Sequence, residues 1–564
     1  MRKQTKIAAI VSAAALLAIG ASMTSFAATG WQEEDGTWVY YDRNEEKVSD
    51  KWAKSGDNWF YLDADGYMAT DMLIEDDDDY YYVDANGAMV RNQWIAIDNE
   101  DAGNDDDEPE VHWYYFQNNG KAYKKKGTSS VFKKSINGKT YAFNEDAQML
   151  YGWVNTEGSQ ETGDEAWQAG EYYFGDENDG AMSVGWRLIS LTDTGTPENE
   201  QPGDAFWDED QDRWFYFKSS GKKQKGNTNK TINGKKYGFD SDGRMIADWY
   251  SETYASQGDA SQGNAEYTKT FMYFSTPEDG ARYTKGWFKV VPGDYLHHAK
   301  HEDGDSYWYY ADGHGKLYAN ELKTIKSKKY AFDKWGRMKK GLQLVQFVEG
   351  TDGVDYKKFV DVYADDSDDY KYQNEDEFKA TVKKLGTSLT AEKNTFAFMF
   401  FSNDEDHDGS MKTGKQTINL DGENFTFRFY TSGSKKGQGI TGVKDKKIYL
   451  GGKLVTADSD NKVEFFDTTT NETVTMSKLI NTWFVEDTAK SDDKKTVYKF
   501  TGDPDKWAET YIAINTSGSV LSSGTKKDGD DYKIKLDTKG LTSKEVEVLG
   551  GKVKATYPSS IELK

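Results

Sequence analysis

A tryptophan motif that returns at a fixed interval limits what this chain can fold into more than any other feature. Trp31-Gln-Glu-Glu-Asp-Gly-Thr-Trp38 is followed, 21 residues on, by Trp52-Ala-Lys-Ser-Gly-Asp-Asn-Trp59. A third copy starts at Met72, with YYYVDANGAM where the second has NWFYLDADGYM. Each unit is a Trp, a short turn, an aromatic run, an Asp/Asn-Gly turn and then often Met. Asp65-Gly66 and Asn86-Gly87 are hairpin turn signals flanked by alternating aromatics. Each unit therefore predicts about one β-hairpin, and the fold class is an all-β hairpin repeat.

A longer period overlies the short one. INGKTYAFNEDAQM begins at Ile136, INGKKYGFDSDGRM at Ile232 and IKSKKYAFDKWGRM at Ile325, steps of 96 and 93 residues. Two long hairpin units lie between successive short ones, and their extra length is acidic insertion. From about Leu342 the pattern weakens: 15 Trp precede that residue and 2 follow it, Trp483 and Trp507. Phe398–Gly414 still aligns with Tyr172–Gly185, Val443–Asp458 with Ile232–Asp248, and YIAINTSGSV and DYKIKLDTKGL echo the unit again. Residues 28–341 are therefore expected to be the repeat array. Residues 342–564 are expected to be divergent β repeats or a separate β domain.

Composition narrows the function. The 564 residues carry 71 Lys and Arg against 96 Asp and Glu, a net charge of -25. That disfavours a phosphate-reading surface for nucleic acid and docking on an anionic membrane. Mean hydropathy is low, at -0.86, yet 15% of residues are aromatic, so plain disorder is a poor fit. There is no cysteine, hence no disulfide, thiolate metal site or Cys nucleophile. Arg2, Lys3 and Lys6, an apolar stretch over residues 7–21, and Ser25 and Ala27 before a cut after Ala27 read as a secretory signal peptide over 1–27. No second apolar run follows, so no membrane insertion is expected of the mature chain. YPSSIELK at the end has neither a hydrophobic tail nor a sorting-like motif.

Alternation assigns the two faces of each strand. In NWFYLD, Trp59 and Tyr61 share one face, and Phe60 and Leu62 the other. In the short units Thr140 and Ala142, Lys236 and Gly238, and Lys329 and Ala331 replace the Trp/Tyr pair. Tyr141 with Phe143, Tyr237 with Phe239 and Tyr330 with Phe332 keep the other face. The Phe/Leu face is expected to be the core, and the Trp/Tyr face to contact ligand or to pack between neighbouring hairpins.

The Gly-Trp start, the WVYY, WFYL and WYYF runs, the DADG and DANG turns and the Met after them resemble the choline-binding, or cell-wall-binding, repeats of Gram-positive surface proteins. They also resemble glucan-binding domains of glucansucrases and the repetitive region of large clostridial toxins. The resemblance covers residues 30–341. It implies hairpins stacked into a left-handed β-solenoid, with ligand between consecutive hairpins in a cage of two Trp from one unit and a Tyr from the next. Ring faces suit a quaternary ammonium, which has no hydrogen-bond donor, at ~0.5–2 kcal/mol per ring. Carried over, one cage is Trp31, Trp38 and Tyr61 with Met68 near, and another is Trp52, Trp59 and Tyr82 with Met89 near. Trp249, Phe271 and Tyr310 make a weaker one, and Trp153 is paired with Glu171. Trp94 and Trp113 facing Ala142, Trp186 and Trp214 facing Gly238, and Trp287 and Trp308 facing Ala331 lack a third wall and suit sugar rings. The implied partner is a cell-wall polymer, either choline-bearing teichoic acid or a glucan, engaged at many sites at once.

Catalytic and metal chemistry find little purchase. Residues 29–341 leave no stretch free of the repeat, and carboxylates are too abundant to mark a pair. His297, His298 and His301 read as a solvated loop rather than a metal site. Asp404 to Gly409 matches the start of a calcium loop, but Lys415 stands where a bidentate Glu is needed. Asp76 to Asp79 and Asp105 to Glu108 read as solvated turns. The chain is thus expected to be a secreted, wall-associated binding protein without cofactor or catalysis. The alternatives are an adhesin or glycan receptor-binding protein, and a wall-anchored enzyme whose chemistry lies in 342–564.

Overall fold

A computed structural model describes residues 29–102, 109–127, 129–191, 211–253, 264–348, 358–360, 372–386, 396–403 and 408–564. The signal-peptide reading, the Asp105–Glu108 turn and Asp404 to His407 of the calcium-like loop lie outside them. The chain divides into two compact units. One comprises Met1–Thr194, Asp210–Asn227 and Phe239–Arg244; the other comprises Gly195–Glu209, Thr228–Gly238 and Met245–Lys564. Among the described residues no helix is long and apolar enough to cross a membrane.

The repeat is a hairpin with a tail. In the first, Gly30–Glu34 pairs with Thr37–Tyr41, and Trp31 lies opposite Tyr40. The turn residues Asp35 and Gly36 have φ of 51° and 83°, as a two-residue turn with both centres left-handed requires. Lys51–Ser55 pairs with Asn58–Leu62, and Met72–Asp76 with Asp79–Val83. The Asp-x-x-Gly stretch, expected to turn the hairpin, has another task. Asp63 Oδ1 accepts the N–H groups of Asp65 and Tyr67 at 3.0 and 2.8 Å, and Asp84 does the same for Asn86 and Ala88. This side-chain-capped turn sends the chain back along its own strand, with Met68 bridging Leu62 and Met89 bridging Val83.

The tail fastens each hairpin to the one before it. In the first unit the N–H of Met68 donates to Trp38, Met89 to Trp59, Ala122 to Tyr80, Met149 to Trp113 and Met182 to Thr140, each at 2.8 Å. In the second, Arg282 donates to Lys236, Met338 to Trp308 and Met411 to Lys329. Consecutive hairpins in each unit therefore stack in one direction as a β-hairpin solenoid. Phe60 and Leu62 are 3% and 0% exposed, so the Phe/Leu face is core as expected. The Trp/Tyr face also packs, against the following hairpin: Trp52 and Tyr61 lie on the cluster of Ala69, Ile74, Tyr81 and Val83.

The residues after 341 keep parts of this scheme. Phe401 bridges Met411 as Val83 bridges Met89. Asn515 caps the turn to Gly518 as Asp63 caps its own. The sheets nevertheless widen. Gly341–Val348 starts where the divergent region was expected to begin, yet it belongs to a five-stranded sheet with Glu321–Ile325 and Lys328–Phe332. Helices Met476–Trp483 and Pro504–Thr510 pack into a core that buries Trp507 completely. Asp503 caps the second helix, and Pro504 occupies its first turn.

Candidate functional site

Register decides which rings meet. Trp52 stands opposite Tyr61 across a two-residue turn, and the same pairing recurs across long insertions, with Trp94 opposite Tyr115, Trp186 opposite Tyr216 and Trp287 opposite Tyr310. Their ring centroids are 5.1, 5.1, 5.2 and 5.1 Å apart. The first Trp also leans on a ring of the next hairpin. Trp31 meets Phe60 at 5.3 Å, Trp52 meets Tyr81 at 5.1 Å, and Trp287 meets Tyr330 at 4.8 Å. In two hairpins the second Trp closes a corner of three rings. Trp186 and Trp214 are 6.2 Å apart at 89°, and Trp287 and Trp308 are 6.5 Å apart at 84°. These rings are partly exposed.

The expected cages change accordingly. No ring contact among the described residues joins Tyr61 to Trp31 or Trp38. Tyr82 meets Phe116 and bonds Asp71 rather than joining Trp52 and Trp59. Met68 and Met89 are beside Trp38 and Trp59 as expected, through the backbone bonds above. Their sulfurs, however, lie against the next turn: a Cβ on Gly87 would sit 2.8 Å from the Met68 sulfur, and one on Gly120 2.2 Å from that of Met89. Trp249 and Phe271 do not form an open site. They are 6% and 0% exposed, the Trp249 indole N–H donates to the Val291 carbonyl at 2.8 Å, and Tyr310 belongs to Trp287 instead. Trp94 and Trp113 pack toward Tyr141 and Phe143, and Trp287 and Trp308 toward Tyr330 and Phe332. Ala142 points the other way, into the cluster of Val154 and Phe174. Trp153 pairs with Tyr173, while Glu171 forms an ion pair with Lys225.

The sequence signal that was missed is the cross-strand partner. Tyr61 follows from counting outward from its two-residue turn, whereas Tyr216 and Tyr310 lie across long insertions and could be placed only by analogy with it.

Carboxylates lie beside Tyr61. Burial raises the Tyr61 hydroxyl pKa, and the carboxylates of Asp50, Asp76 and Asp63 raise it further. Asp76 is no solvated turn residue, since its carboxylate accepts the Trp52 indole N–H at 3.0 Å. Asp79 is likewise buried and pairs with Lys121 and Lys126. The chain's own ammonium groups already sit over aromatic rings, Lys47 at 3.8 Å from Tyr67 and Lys323 at 4.9 Å from Tyr318. The three histidines diverge: His297 is 2% exposed and stacks on Trp335, His298 meets Asp294, and His301 meets the Pro292 carbonyl.

Residues 48–94, which hold the hairpin of Trp52 and Tyr61, match the choline-binding repeat family, and residues 112–122 match the cell wall binding repeat. Over these residues the chain is similar to choline-binding repeats. Solved structures similar to it include several from Streptococcus pneumoniae. The modular autolysin LytC is 18% identical, with 57% of this chain and 55% of that chain covered and a TM-score of 0.29. This chain therefore spans little more than half the autolysin's length. The choline-binding domain of CbpL is 22% identical, with 45% and 97% covered and a TM-score of 0.26. Choline binding protein F is 18% identical, with 56% and 99% covered and a TM-score of 0.24. No curated protein matches the chain. In these hairpins the Trp and Tyr residues form a stacked ladder.

Proposed function

We propose that this protein is secreted, lacks catalysis, and holds a cell-wall polymer through the choline groups of teichoic acid. The observation that carries this reading is the three-ring corner, Trp287 with Trp308 and Tyr310, repeated at Trp186, Trp214 and Tyr216. Two indoles near a right angle and a phenol beside them offer ring faces to a cation without asking it for a hydrogen bond. Each corner is weak alone. Several on one chain, meeting a polymer that repeats its choline, raise retention through effective concentration.

The test is retention of the full secreted chain on purified walls whose teichoic acid carries choline, with choline-free walls as reference. Release by free choline, and weaker retention of Trp287→Ala/Trp308→Ala, are the expected results. Equal binding to both walls, or no release by choline, would remove the reading.

A further inference from the structure

We propose that a second kind of site, apart from the hairpin-edge corners, lies between residues 151 and 191 and takes one neutral pyranose ring of a glycan. An insertion between the strands Trp153–Val154 and Tyr172–Tyr173 forms a short strand, Gln160–Glu161, and a single-turn helix, Ala166–Ala169. Together with Ile189 to Leu191 of the next hairpin they enclose a cleft of about 280 Å³. That is the low end for a small-ligand site and matches a single sugar ring rather than a chain. Trp153, Trp167 and Tyr173 give it aromatic walls, and Gln160, Glu161 and Asp164 give it polar groups; neither Lys nor Arg lines it.

The Trp153 indole decides the ligand class. Trp153 is 7% exposed, and among the described residues none accepts its N–H. In the hairpin of Trp249 the corresponding N–H donates to the Val291 carbonyl, and Leu296, 1% exposed, packs in the same cluster. There the chain supplies its own acceptor and filling, whereas at Trp153 no described residue supplies the acceptor and the cleft stands open to a ligand. A quaternary ammonium has no atom to accept that N–H. Lys223, 1% exposed, also holds its ammonium 5.2 Å from the Trp153 ring centroid and donates to the Trp167 carbonyl at 2.5 Å. A second cation at this ring would meet like charge.

A sugar hydroxyl satisfies both sides. It accepts from the indole N–H and donates to a carboxylate. Glu161 has one oxygen held by the Asn155 amide at 2.7 Å, which leaves the other for the ligand. An anionic sugar is disfavoured by Glu161 and Asp164.

The experiment titrates the full chain with D-glucose, D-galactose and N-acetyl-D-glucosamine into the high millimolar range, and separately with choline chloride. Tryptophan fluorescence and calorimetry are the readouts. At least one pyranose is expected to saturate. Trp153→Phe keeps a ring but loses the donor, and Glu161→Gln keeps the shape but loses the charge; each should weaken sugar binding about tenfold. The choline response should be unchanged in both. Should Trp153→Phe fail to fold by circular dichroism, Glu161→Gln decides alone. No saturation by any of the three sugars, or sugar binding indifferent to Glu161→Gln, overturns the proposal. So does a choline response that Glu161→Gln abolishes. Sugar binding that behaves as expected while choline binds nowhere would leave this site standing and remove the wall-anchoring reading.

Discussion

At the residue scale, a methionine and a glycine one repeat apart act as a pair. Met68 packs on the turn at Gly87, Met89 on Gly120, Met149 on Gly180 and Met182 on Gly221, at distances that leave no space for a Cβ. Ala122 is the exception that explains the rule: its next turn carries Ala147 at φ 63°, fully buried in the same cluster. A small residue before the turn admits a methyl within it. Gly120 has φ 84°, so Gly120→Ala combines backbone strain with displacement of Met89 and should cost about 2 kcal/mol. Urea unfolding checks this, and a cycle with Met89→Ala should show the two changes costing about 1 kcal/mol less than their sum.

At the element scale, each hairpin is stable through its neighbours. Trp52 joins its own Tyr61, the next hairpin's Tyr81 and the Asp76 carboxylate. Trp52→Ala should remove about 3–5 kcal/mol locally, read as faster amide exchange at Met89 and Ile74 with the 463–564 strands unaffected. A strand junction near the C-terminus responds to pH. Asp528 ends the strand Gly524–Asp528, is 5% exposed and accepts the Val463 N–H at 3.1 Å. Burial pushes its carboxyl up to about 6. Between its unfolded value near 3.9 and about 6 the folded chain binds more protons, so stability falls as pH rises through that window. Asp528→Asn should therefore add about 1–2 kcal/mol at pH 8 and little at pH 4, measured by urea unfolding at both.

At the scale of the whole molecule, a net charge of -25 keeps an aromatic-rich chain in solution and repels bare polyphosphate. Retention on choline-bearing walls should consequently persist at high salt, where screening removes long-range charge effects, and be reversed by free choline. A salt-reversible, choline-insensitive association measured by sedimentation would contradict it. Much of this was legible in the chain itself. A motif returning every 21 residues, with Gly where φ must be positive and Asp where the turn must be capped, fixes hairpins and their order because those demands are local. The Phe60 and Leu62 core followed from alternation alone. The pairing of Trp186 with Trp214 and Tyr216, the burial of Trp249 and Phe271, and the cleft at Trp153 were decided only by tertiary structure. Equivalent positions in a repeat receive different neighbours, because a loop such as 291–296 fills one gap while residues 160–167 frame another. Local chemistry sets which rings a strand presents. Long-range packing sets which of them remain open.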